Sequence, residues 1–161
     1  MEFGLFYNTG YYGTDPDQMI ALARHAEQCG FESFYGEFFS FTRLCSYPKP
    51  LGPLPVHVGG SSRAAARRAG LRGDGYFPGG GLTEAERAGQ VDLMRATARA
   101  AGRDPGALEY TRWGSIDMTG EAVSGHAGQG VTRLIVSPAS KDPSEQRDQV
   151  TAFADRLGLA G

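Results

Sequence analysis

Short apolar stretches of strand length alternate along this chain with longer segments in which apolar residues return every three or four positions. Glu2 to Asn8 reads as a mostly apolar strand, and Thr9 to Thr14 as the loop after it. Asp15-Pro16-Asp17-Gln18 then signals a helix start, with Asp15 as N-cap, Pro16 at the first helical position and Gln18 completing a capping-box pattern. Met19, Leu22, Ala23 and Ala26 recur at helical spacing, and Gly30 supplies the stop. Phe31 to Tyr35 is a second short strand. Strand, helix, strand in so little chain is a βαβ unit, which implies parallel pairing and a right-handed crossover.

The alternation continues to the far end. Gly36 to Leu44 is rich in β-formers and reads as a hairpin or extended arm, and the prolines from Pro48 to Pro55 make a stiff connector. Val56 to Val58 is a strand that stops at Gly59-Gly60. Ser61-Ser62 and an alanine- and arginine-rich helix follow. Asp74 to Pro78 is another inner strand, leading into Gly79-Gly80-Gly81. Thr83 to Glu86 forms a second capping box, opening a helix through about Ala101 with Val91, Met94, Ala98 and Ala101 on one face. Leu108 to Met118 is a strand containing Trp113, and residues 119–130 are glycine-interrupted, with room for at most a short helix. Val131 to Ser137 is the clearest strand. Asp142-Pro143-Ser144-Glu145 starts the last helix, whose buried face carries Val150, Phe153 and Leu157 before Gly158. Six strands alternating with about four helices predict the α/β class, as a barrel or an open parallel sheet.

Composition narrows the partners. With 161 residues, 40% of them hydrophobic and 21% charged, the chain suits a single globular domain over 1–161. A formal net charge of -2 provides no broad basic surface for nucleic acid or an anionic membrane. A small-molecule substrate is the expected partner. Cys29 and Cys45 lack metal-ligand spacing, so buried thiols are expected and no metal site. No signal peptide and no apolar run long enough to cross a bilayer is seen, which gives a cytoplasmic expectation.

Chemistry concentrates at the turn after Val58. Gly59 and Gly60 let the backbone bend sharply and let a ligand approach. Ser61 and Ser62 are good N-caps for a helix whose first N–H groups carry partial positive charge, a setting that suits a phosphate. The alternative is an ordinary capped turn with no ligand, since the spacing matches neither a Walker A nor a full Gly-x-Gly-x-x-Gly motif. His57, read near the carboxyl end of its strand, Tyr12 after the first strand, and Glu37 in the arm are the candidate catalytic side chains. Each also has a structural reading: a core histidine, a lid over a local apolar patch, and an anchor for the arm. No nucleophile triad is visible.

These segments together resemble the luciferase-like monooxygenases, especially their flavin- and deazaflavin-dependent oxidoreductases. The resemblance rests on Gly10-Tyr11-Tyr12-Gly13-Thr14-Asp15-Pro16, on Ala23-Arg24-His25-Ala26-Glu27 with Cys29-Gly30-Phe31-Glu32-Ser33, and on Gly36-Glu37-Phe38-Phe39-Ser40-Phe41. It continues through Val58-Gly59-Gly60-Ser61-Ser62, Gly73-Asp74-Gly75-Tyr76 and Gly130-Val131-Thr132-Arg133-Leu134-Ile135-Val136. A full barrel of this type takes about 250 residues. The resemblance therefore implies a truncated TIM-barrel-like fold lacking one internal block after Tyr35, with counterparts of strands one, two, five, six, seven and eight. Two strand edges follow from that loss. They must pair with each other in a tighter six-stranded barrel, be covered by the arm of residues 36–55, or pair with a second chain, and a homodimer is the expected outcome.

By the same resemblance, Gly59, Gly60, Ser61 and Ser62 match the turn that holds the cofactor phosphate, with Arg63 adding charge. Coenzyme F420 or FMN is the implied cofactor, while the missing block takes away much of the wall that holds its ring. Three functions stay open: a flavin- or deazaflavin-dependent oxidoreductase completed at a dimer interface, a cofactor-independent isomerase, cyclase or hydrolase using the barrel mouth, and a non-catalytic binding protein.

Overall fold

A computed structural model of the chain describes residues 1–36 and 55–159. Six strands, β1 (Glu2–Tyr7), β2 (Ser33–Gly36), β3 (His57–Gly59), β4 (Gly75–Phe77), β5 (Glu109–Trp113) and β6 (Arg133–Val136), alternate with helices. The helices are α1 (Thr9–Tyr12), α2 (Pro16–Gln28), α3 (Arg63–Arg72), α4 (Glu84–Ala100), α5 (Gly120–Gly128) and α6 (Pro143–Leu157). Every strand pair is parallel, as the βαβ pattern predicts. The class is α/β, and the expected arm and most of the proline connector lie outside the described residues, together with Cys45.

The described residues fall into two compact units, 1–36 with 111–159, and 55–110. In the first the strand order is β2-β1-β6-β5, with Gly4 opposite both Ser33 and Ile135, and Ile135 opposite Trp113. Side chains alternate across a strand, so Phe3, Leu5 and Tyr7 share one face of β1 and Gly4 and Phe6 the other. The first face is the core. Phe3 and Phe31 meet the Phe153 ring of α6 at centroid distances of 5.5 and 5.6 Å, and Leu134 and Val136 are fully buried. On the opposite face Phe6 stacks edge-on against Trp113, which keeps 42% of its surface exposed. His25 ties α2 to α6 through Thr151 Oγ1 (2.8 Å) and the Arg147 carbonyl (3.1 Å), a packing role.

The second unit orders its strands β3-β4-β5, taking Glu109 and Tyr110 of β5. Ala65, Ala66, Ala69 and Gly70 of α3 are all buried, and Gly70 lies directly against Met94, Thr97 and Ala98 of α4. The missing side chain at Gly70 lets the two helix backbones approach closely. Arg103 then closes the carboxyl end of α3, donating to the carbonyls of Gly70 (2.8 Å) and Gly73 (2.7 Å), groups that a helix end leaves without partners.

Several boundaries differ from the periodicity. The loop after β1 winds into α1 because Asn8, expected inside the strand, accepts the Tyr11 N–H as an N-cap. The glycine-interrupted segment forms α5, capped by Thr119, so six α-helices stand among the described residues where about four are predicted. β5 stops at Trp113 instead of continuing to Met118: the Gly114 N–H still bonds to the Ile135 carbonyl, and the turn beyond it is held by the Ser115 hydroxyl and carbonyl. Ala101 is the exposed C-cap of α4, not part of its buried face, and Leu157 is half-buried.

Replacing Gly70 with Ala weighs two opposed effects. Helix propensity alone favours Ala by about 1 kcal/mol. The new Cβ, however, meets the Met94 carbonyl oxygen on α4 and lies 2.9 Å from Thr97 Cβ. Backbone cannot yield as a side chain tip does, so Gly70→Ala is expected to lower the unfolding free energy by about 1–3 kcal/mol in urea titration.

Acid acts through helix starts. Bonds from the Ser144 hydroxyl and the Glu145 and Ser144 N–H groups hold the Asp142 carboxyl below its usual range, and bonds from the Thr83 N–H and hydroxyl do the same for Glu86. Depressed carboxylate pKa values give stability that is present above their ordinary values and lost as pH falls through the folded ones. The melting temperature is therefore expected to drop between about pH 5 and about pH 3, and to drop less in Asp142→Asn, which keeps a capping oxygen without a titrating charge.

Candidate functional site

The turn from Gly59 to Arg63 joins β3 to α3 as the strand–glycine–serine–helix pattern predicts. Gly60 takes φ +119, backbone that a side chain rarely adopts, and donates its N–H to the Phe77 carbonyl of β4 at 3.2 Å. Ser62 caps α3, its Oγ accepting the Ala65 N–H at 3.1 Å. Ser61, Ser62 and Arg63 are exposed, and among the described residues no hydrogen bond consumes the N–H groups of Ser61, Ser62, Arg63 or Ala64. Four successive free N–H groups at a helix start are the donor set that an anion needs.

Beneath the turn lies a polar network that periodicity does not reveal. Tyr76, with no exposed surface, places its hydroxyl 2.9 Å from the Gly60 carbonyl oxygen and also against Gln90 Oε1. Gln90, buried on α4, donates from Nε2 to the Ser61 carbonyl at 2.5 Å. Burial, with Tyr110 close by, pushes the Tyr76 phenol up, so it keeps the proton that the network uses. From the next loop, Gly79 abuts Ser61: an added Cβ would collide with Ser61 Oγ. One sequence signal for Gln90 exists, since it stands one turn before Met94 on the buried face of α4.

The turn's donor chemistry fits a phosphate group: exposed N–H donors with a helix start behind them. Those residues would hold a nucleotide-type cofactor by its phosphate.

The other candidate residues are not gathered there. β3 begins one residue later than the apolar run suggests, so His57 opens the strand instead of standing near its carboxyl end. His57, Gly75 and Glu109 form one rung across three strands. Because Gly75 has no side chain, the imidazole lies over it and reaches Glu109, Nε2 to Oε2, at 3.4 Å. Asp74 ties a turn by accepting the Val56 N–H at 2.8 Å. Glu37 lies outside the described residues.

Tyr12 belongs to the first unit, half-buried after β1. Its hydroxyl is 2.8 Å from Ser137 Oγ and donates to the Pro138 carbonyl, and its ring packs at 5.0 Å from Tyr7 and 5.1 Å from Tyr11. Burial pushes the Tyr12 phenol up, and the Ser137 bond partly opposes this. Tyr7 is fully buried, and its hydroxyl has no hydrogen-bond partner among the described residues. Among the described residues no cluster of side chains suited to a metal is present, and no helix is long and apolar enough to cross a membrane.

A family model described as luciferase-like monooxygenase matches residues 33–116, more than half of the chain and all of the Gly59–Arg63 turn. The chain belongs to the luciferase-like monooxygenase family. Similar proteins include an uncharacterized protein of Mycobacterium tuberculosis, 30% identical over 123 residues that make up 74% of this chain and 41% of that protein. An FMNH2-dependent dimethylsulfone monooxygenase of Pseudomonas fluorescens is 44% identical over 68 residues, 42% of this chain and 18% of its own length. One of the same description from Pseudomonas putida is 46% identical over 72 residues, 44% and 20% of the two chains. The chain thus spans about two-fifths of the mycobacterial relative and a fifth or less of the two monooxygenases. Six parallel strands with helices between them agree with a truncated form of the family's barrel-type fold.

A buried hydroxyl without a partner carries its desolvation cost unrelieved. Tyr7→Phe, which deletes that one oxygen, is expected to raise the unfolding free energy by about 1 kcal/mol. Urea titration beside the parent chain checks the sign.

Proposed function

We propose that this chain is a flavin-dependent oxidoreductase of the luciferase-like type, acting on a small organic metabolite, and that the Gly59–Arg63 turn holds the phosphate of FMN. The observation that carries the reading is the set of free N–H groups from Ser61 to Ala64, which lies within the residues that the family model matches. The two Pseudomonas relatives, described as FMNH2-dependent, favour FMN over coenzyme F420. When bound, reduced flavin supplies the electrons for activating dioxygen.

The chain's own residues supply binding and orientation. Ser61 to Ala64 offer backbone donors, the α3 amino end adds its dipole, and Arg63 adds a positive charge at the first helical position. Fixing the phosphate fixes one end of a long ligand, which reduces the freedom of its ring. β2 and β3 end their ladders, and among the described residues no strand pairs with their outer edges. Open strand edges invite pairing with another chain, so the reading includes a homodimer that covers them and rebuilds the ring pocket.

Titrating purified protein with FMN and with F420 by fluorescence, alongside sedimentation equilibrium, tests this directly. FMN binding by a dimer is the expected result. Ser62→Asp separates binding from folding: aspartate is an equally good N-cap, yet it sets a negative charge against the phosphate, and FMN affinity is expected to fall about tenfold or more at unchanged melting temperature. A colourless monomer indifferent to both cofactors would overturn the proposal.

A further inference from the structure

Two side chains outside the turn decide which way its peptide groups face. A trans peptide is planar, with its C=O and N–H on opposite sides. The Gly60 carbonyl points to the Tyr76 hydroxyl (2.9 Å), so the Ser61 N–H in the same plane points away from the interior. The Ser61 carbonyl points to Gln90 Nε2 (2.5 Å), so the Ser62 N–H points away as well. Both anchors are buried, Tyr76 at 0% and Gln90 at 8% exposure, whereas Ser61 and Ser62 are exposed. The inward side of each peptide is therefore occupied and its outward side is free.

We infer that Tyr76 and Gln90 are positioning residues for the phosphate-binding turn, pinning two successive carbonyls inward so that the Ser61 and Ser62 N–H groups converge on the anion with those of Arg63 and Ala64. This rests on the flavin reading above and adds the means by which the cradle is held open. One glutamine links both anchors, since its Oε1 also lies against the Tyr76 hydroxyl. A glycine-containing turn without them would be free to rotate its peptides, and a rotated plane presents a carbonyl oxygen to the phosphate in place of a donor.

Both anchors can be cut without changing shape. Tyr76→Phe deletes one oxygen and frees the Gly60 carbonyl, while Gln90→Met keeps the length of the side chain and frees the Ser61 carbonyl. In the whole chain, FMN is titrated by fluorescence, and inorganic phosphate is titrated against the Ser61 and Ser62 amide resonances. Each substitution is expected to weaken both ligands by about tenfold. The phosphate arm reads the cradle without the ring, so a role confined to the ring pocket leaves it unmoved. Melting temperature reports folding, and Tyr76→Phe carries the test if Gln90→Met does not fold. Binding by the parent chain with both variants within twofold of it would overturn the inference and leave the flavin reading standing. A parent chain that binds neither FMN nor phosphate would overturn that reading, and the inference with it.

Discussion

Parallel pairing is the constraint on which the rest of this structure depends. A strand whose neighbour runs in the same direction cannot be joined to it by a tight hairpin, so the chain must return along a helix before the next strand begins. In each unit this makes every strand present one face to helices. Phe3 and Leu5 with Leu134 and Val136 fill that face in the first unit, and Val58, Tyr76 and Tyr110 lie on the matching positions of the second. It also places each strand-to-helix turn at a carboxyl end, where the first N–H groups of the following helix have no partners of their own.

The Gly59–Arg63 turn turns that general deficit into a specific site. Most helix starts here spend a capping side chain and face solvent, as Asp142 and Thr83 do. At α3 the cap is equally ordinary, a serine on the Ala65 N–H, but the peptides before it are held from below by a buried tyrosine and a buried glutamine. Burying a glutamine is costly unless its amide is satisfied at both ends. Here Nε2 donates to the Ser61 carbonyl, and Oε1 lies against the Tyr76 hydroxyl, whose single proton it shares with the Gly60 carbonyl, so the three groups define the turn together.

What was legible beforehand was legible because it is local. Asp15, Thr83 and Asp142 cap the helices they were expected to cap, since a side chain oxygen and an N–H two or three residues on must meet whenever the backbone bends there. Strand positions from Glu2 and near Val131 follow from apolar runs bounded by turn residues. The structure departs from the periodicity where neighbours in space outweigh neighbours in sequence. β3 is shifted toward Gly59 because its register is set by pairing with Gly75 to Phe77, and this moved His57 to the opposite end of the strand from the turn. α5 is the short helix for which the glycine-interrupted stretch leaves room, and its Thr119 cap is a local bond.

The amino-acid sequence by itself determined the alternation of strands and helices, the parallel class, and the glycine–serine turn, because all three depend on periodicities and bonds spanning a few residues. Only the tertiary structure decided what stands behind that turn. Tyr76 and Gln90 are 16 and 29 residues away from the carbonyls they hold, and a contact of that reach exists only once β4 and α4 have packed beside β3 and α3. Side-chain hydrogen bonds over such separations obey no sequence period, and the direction of two peptide planes is settled by them.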